Sequence, residues 1–93
     1  MQPFHSFHFN NSIVFQYSQG ISFLHFAVGR NYGNAVQRNI FKRRSRYLYS
    51  ILRKENVCLK KFGLLVRPTK QLLVFEEIKA SFQALNKRLG DDL

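Results

Sequence analysis

Acidic side chains are missing from the first 54 residues of this 93-residue chain; all five, Glu55, Glu76, Glu77, Asp91 and Asp92, lie behind them. The same stretch holds eight Lys or Arg, so the net charge of +10 is polarised along the chain. Such a field draws in polyanions, and each phosphate contact releases counterions and makes binding steeply salt-dependent. A charge run that only kept the protein soluble would explain the magnitude but not the segregation. There is no Trp and a single cysteine, Cys58. One thiol excludes an intramolecular disulfide and fits a reducing compartment; its simplest role is that of a small buried apolar side chain. No apolar run reaches the ~18 residues of a membrane span, and the N-terminus lacks the charged-then-apolar pattern of a secretion signal. The expected location is cytoplasmic, with no membrane partner.

Catalytic patterns are equally sparse. There is no G-x-S-x-G turn, and Gly29 and Gly33 are not followed by the Lys-Ser/Thr of a nucleotide-binding loop. Glu76 and Glu77 are neighbours in sequence and point about 100° apart on a helix, which suits the helix dipole better than paired acid-base work. His5 and His8 have no further ligand type near them in sequence, so no metal site is expected. His25 sits in a predicted strand, where an imidazole is usually packed or hydrogen-bonded. No catalytic residue is assigned to the chain.

What is present is enough for one small domain, residues 1–93. A chain of this length buries ~60–65% of its unfolded surface, so its stability margin is thin. Fourteen aromatic residues, ten of them Phe, offset that in part. Residues 1–9 alternate only weakly and end at Asn10-Asn11, a turn signal. Residues 12–18 alternate with Ile13, Phe15 and Tyr17 on one side, a predicted strand. Gln19-Gly20 supplies a turn into a second strand, 21–28, with Leu24, Phe26 and Val28 on one face and Phe23, His25 and Ala27 on the other. These two strands are expected to form a hairpin. A third strand, 60–68, places Phe62, Leu64 and Val66 inward and ends at Pro68. Phe75, Ile78, Phe82, Leu85 and Leu89 recur at spacings of three and four, an amphipathic closing helix with Gly90 as its stop. Strand, strand, helix, strand, helix predicts an α+β fold, a two-layer sandwich in which the strands flanking the first helix pair in parallel.

The first helix, Ala35 to Lys54 with Asn34 as its N-cap, carries the recognition chemistry. At ~100° per residue, Arg38, Lys42, Arg46 and Arg53 fall within roughly 80° of one another, and Asn39 and Arg43 flank them. Val36, Ile40, Tyr47 and Ile51 occupy a neighbouring arc, widened by Phe41, Leu48 and Leu52 into the expected packing face. Arg meets phosphate as a bidentate fork and Lys as a point charge. Asn34, Asn39 and the free amides at the helix start add hydrogen bonds. Phe15, Tyr17 and Phe23 are the candidate aromatics for stacking on unpaired bases, worth ~1–3 kcal/mol each. Cations beside aromatic strands suit single-stranded or irregular RNA better than duplex DNA.

At Gly33-Asn34-Ala35-Val36-Gln37-Arg38-Asn39, continuing through Lys42, Arg43 and Arg46, the sequence resembles the bacterial ribonuclease P protein component, whose hallmark is a strand leading through a basic loop, here containing Arg30, into G-N-A-V-x-R-N-R-x-K-R-x-x-R. Residues 60–68 and 71–85 look like that family's following strand and closing helix, so the likeness spans roughly 12–89. The third residue of the Arg-Asn-Arg core is Ile40 here. The family's fold opens with a basic helix ahead of the sheet; none fits in the nine residues before residue 10, so it is expected to be missing, either from a shortened variant or because the start lies upstream. The resemblance implies a left-handed strand-helix-strand crossover, against the usual hand. It also implies RNA contacts from Arg30, Asn34, Arg38, Asn39, Lys42, Arg43 and Arg46. The implied partners are the catalytic RNA subunit of ribonuclease P and precursor tRNA, whose 5′ leader lies in a cleft between helix and sheet, with no protein partner required. Mg²⁺, held mainly by the RNA, and the RNA itself would do the hydrolysis. A ribosomal or general RNA-binding module is the alternative reading, and a small DNA-binding protein a third.

Overall fold

The computed structural model describes residues 5–20, 22–55 and 61–91. They form strands β1 (His5–Phe9), β2 (Ile13–Gln19), β3 (Phe23–Phe26) and β4 (Phe62–Pro68) and helices α1 (Ala35–Glu55) and α2 (Phe75–Asp91). The expected α+β two-layer arrangement is present, a mixed four-stranded sheet with both helices packed on one face. No helix precedes β1 among the described residues. Cys58 lies outside them.

The sheet order is β1-β2-β4-β3, with β2 antiparallel to both β1 and β4 and β3 parallel to β4. The expected pairing across α1 is therefore found, but the hairpin of 12–18 with 21–28 is not. β4 lies between those strands. Its run FGLLV is, with the start of β2, the most continuously buried strand segment, and a central place in the sheet pairs its buried backbone groups on both sides. Gly20, at φ 138°, turns the chain out of β2 and donates its N–H to the Lys61 carbonyl at 2.8 Å. The hairpin that does form joins β1 and β2. Asn10 and Asn11 have φ of 47° and 56°, and the Ser12 N–H reaches the Phe9 carbonyl at 2.8 Å. Two successive positive φ values match the right-handed twist of a tight hairpin, and Asn tolerates them. The weak alternation of residues 5–9 reflects an edge strand whose outer positions are Ser6 and His8.

Alternation divides the sheet into two faces. Ile13, Phe15, Tyr17, Phe62, Leu64 and Val66 are buried beneath the helices, with Phe7, Leu24 and Phe26 packed against them. Phe82 of α2 meets Phe15 edge-on at 5.1 Å, and Phe41 of α1 meets Phe26 edge-on at 6.3 Å. Thus α2 covers the β2 side and α1 the β3 side. The opposite face, carrying His8, Gln16, Leu65, His25 and Phe23, has no described helix over it. His5 stacks on Tyr17 on the helix side while His8 points the other way, so the two imidazoles do not meet.

The packing seam of α1 differs from the expected arc. Its buried residues are Phe41, Ser45, Leu48, Tyr49 and Leu52, whereas Val36 and Tyr47 are 66% and 58% exposed. The seam lies further round the helix than that arc because Ser45, polar by residue type, is fully buried and Tyr49 packs beside it. In α2, Ile78, Phe82, Leu85 and Leu89 are buried as expected, but the helix runs through Gly90 to Asp91.

Candidate nucleic-acid interface

The loop into α1 is built around Tyr32 and Gly33. The Tyr32 N–H closes a turn on the Gly29 carbonyl at 3.1 Å, which puts Arg30 and Asn31 at an exposed corner. The Tyr32 ring packs on Phe41 at 5.1 Å, and its phenol oxygen accepts the Leu73 N–H at 3.1 Å. Burial holds that phenol above its ordinary pKa of 10.0, with the Leu73 amide pulling the other way. Gly33 is needed for space: a Cβ there would run into the Gln37 side chain and the Leu72 methyl. Gly29 meets no such obstacle.

Asn34 caps α1 in a reciprocal box. The Gln37 N–H donates to Asn34 Oδ1 and the Asn34 N–H donates to Gln37 Oε1, both at 2.8 Å. The cap occupies the Asn34 acceptor and leaves its amide N–H₂ as the group able to reach a ligand. The Gln37 amide is likewise taken, so the amides of Ala35 and Val36 are the ones the helix start can offer an anion.

Beyond the cap, Arg38 and Lys42 are partly buried and Arg46 is exposed along the edge of the packing seam. The Arg46 guanidinium lies 5.2 Å from the centre of the Phe26 ring on β3, which fixes the flank's direction: it faces the β3 edge of the sheet. Arg38, Lys42 and Arg46 are therefore together on one flank. Asn39 and Arg43 are exposed further round the helix. Arg44, on the other side of the seam, lies over Phe75 of α2 at 6.0 Å. Among the described residues none of Arg30, Arg38, Lys42, Arg43 and Arg46 is ion-paired with a carboxylate, whereas Lys70 pairs with Glu77 at 3.6 Å. Glu77 also accepts the Ser12 hydroxyl at 3.2 Å, so it ties α2 to the β1–β2 turn rather than serving chemistry.

Two of the three stacking candidates are corrected by burial. Phe15 is 0% and Tyr17 2% exposed, both inside the core under the helices, where no base reaches them. Their alternation holds, but the face they share is the inner one. Phe23 is partly buried on the open face, its ring laid over Gly63, which has no Cβ to obstruct it, and edge-on to His25 at 5.0 Å. The aromatic beside the cationic flank is Phe26, which the sequence marked only as an apolar-face residue.

A family model described as Ribonuclease P matches residues 4–90. The chain belongs to the ribonuclease P protein family. Two structures of the ribonuclease P protein from Thermotoga maritima, one determined in complex with 1-(4-fluorophenyl)-2-thiourea, share 26% identity with it at TM-score 0.74; they cover 91% of this chain and 83–85% of theirs. The Staphylococcus aureus ribonuclease P protein superposes at TM-score 0.73 with 23% identity over 91% of this chain and 80% of its own, a likeness of fold. A search of curated protein sequences gives no match. Membership implies a role in the ribonuclease P ribonucleoprotein, and so in tRNA processing with RNA as partner. No described helix is long and apolar enough to cross a membrane.

Proposed function

We propose that this ribonuclease P protein binds the catalytic RNA through the Gly29–Gly33 loop and the cationic flank of α1, and holds the 5′ leader of precursor tRNA along the β3 edge. There the flank adjoins Phe26, and the open sheet face begins at Phe23. The observation that supports this reading is the unneutralised set Arg38, Lys42 and Arg46, gathered on one flank of a helix whose adjoining seam is locked into the core. Phosphate oxygens are the natural counter-charges for such a surface.

The chain's own residues bind, orient and neutralise; they do not offer a nucleophile or a base to the scissile bond. Nor does this surface fit a divalent metal, because Glu77 is engaged with Ser12 and Lys70 and the other carboxylates lie outside residues 1–54. Mg²⁺ accordingly belongs with the RNA subunit, where it supplies the Lewis acid and the activated water for hydrolysis. The ribonucleoprotein is the endonuclease, working in the cytoplasm without a further protein partner.

Adding the purified chain to its cognate catalytic RNA is expected to raise precursor tRNA cleavage at low Mg²⁺, and to do so less for substrates with the leader trimmed away. Absence of stimulation at every protein-to-RNA ratio would refute the reading. Recovery of ribosomal RNA in place of the catalytic RNA in a pull-down would point instead to a binding module without turnover.

A further inference from the structure

The far side of α1 carries an aromatic ring that packing does not explain. Tyr47 is 58% exposed, although Tyr49, two residues on, is buried in the seam. Helix geometry surrounds it with Arg43 and Arg44 one turn before, Ile51 one turn after and Lys54 two turns after. Val36 and Ile40 continue the same arc toward the helix start, Val36 being 66% exposed. A lone exposed ring is ordinary on a protein surface. This one stands among cations on a helix without an acid before its last residue, Glu55. The complementary partner must be anionic and must also present apolar, planar surface. RNA with an unpaired base offers both on one molecule.

We propose that Tyr47 is a base-stacking residue: an unpaired RNA nucleobase lies on its exposed ring while the phosphates on either side of that nucleotide meet Arg43 and Lys54. This rests on the RNA-binding reading above and adds a second contact surface, turned away from the β3 edge. Ile40, standing where the family motif has Arg, falls on this same arc, so stacking and apolar contact take over there from an ionic contact. A stacking contact adds affinity without releasing counterions, which separates it experimentally from the Arg38–Lys42–Arg46 flank.

The test is binding of an oligoadenylate of about 12 nucleotides across a range of salt concentrations, with inorganic polyphosphate as the base-free control. Tyr47→Ala is expected to bind about tenfold more weakly at every salt concentration with an unchanged salt slope, while Tyr47→Phe binds like the parent. The chain has no Trp, so Tyr47→Trp introduces a single reporter whose emission oligoadenylate quenches and polyphosphate does not. Parent-like affinity of Tyr47→Ala, or equal quenching by both polyanions, overturns the proposal. If Arg38→Ala weakens binding and Tyr47→Ala does not, the stacking role alone is lost. A parent protein that binds no RNA at low salt removes the RNA reading itself.

Discussion

Asn34 is asked to do two things, and its geometry ranks them. Its Oδ1 is committed to the Gln37 amide and its own N–H to the Gln37 side chain, so the residue is first a cap, and only its N–H₂ is left to meet RNA in the proposed complex. Removing such a cap costs ~1 kcal/mol. Asn34→Ala is therefore expected to lower unfolding free energy by about that amount in a urea titration, while Asn34→Asp, which keeps the acceptor, holds most of the stability and places a negative charge at the RNA-facing end. A cap-only role predicts that Asn34→Asp binds RNA as the parent does; a weaker complex would show that this end of the helix meets phosphate. Ile40 and Tyr47 illustrate the reverse case. Residue type and helical spacing point to packing for both, and the structure leaves Ile40 partly and Tyr47 largely open to water.

Within α1 the division of labour is rotational. The seam of Phe41, Ser45, Leu48, Tyr49 and Leu52 anchors the helix, and the 3.6-residue repeat then has no freedom about where Arg38, Lys42 and Arg46 go. They emerge at the β3 edge because Phe41 engages Phe26 and Arg46 caps the same ring. Each cation that meets a phosphate contributes about one unit to the salt dependence of binding. Arg38→Ala and Lys42→Ala are each expected to weaken RNA binding and to reduce the slope of log K against log salt by about one. Unchanged slopes in both would mean that this flank faces solvent in the complex. The helix boundaries and the cationic stripe were legible from spacing and capping alone. The packing seam was less so, because Ser45 contributes a buried position that residue type conceals.

Across the whole molecule, face assignment decides which aromatics hold the fold and which are available to a ligand. Phe15 and Phe23 are both strand aromatics, yet one is sealed under α2 and the other lies over Gly63 on the uncovered face. Phe15→Ala is expected to cost ~3–5 kcal/mol by leaving a cavity, a large share of the ~5–15 kcal/mol that a domain has in total. It should show as a thermal melting transition lowered by more than ~10 °C. Phe23→Ala, by contrast, should melt near the parent and lose affinity for a leader-bearing precursor tRNA relative to a leaderless one. Equal losses in the two binding assays would place the leader elsewhere. The strands themselves were legible from period-2 alternation, β1 excepted, whose exposed His and Ser positions blur the pattern at the sheet edge.

Composition and spacing by themselves determined a basic α+β fold with a capped first helix that carries both an apolar and a cationic side, because charge sign, helical period and capping chemistry are local properties. Only the tertiary structure decided that β4 inserts between β2 and β3, that Phe15 and Tyr17 are core, and that Tyr47 is open to solvent. Those outcomes turn on which strand gains most from two neighbours and which face the helices cover, and both are long-range competitions for burial that no local pattern records.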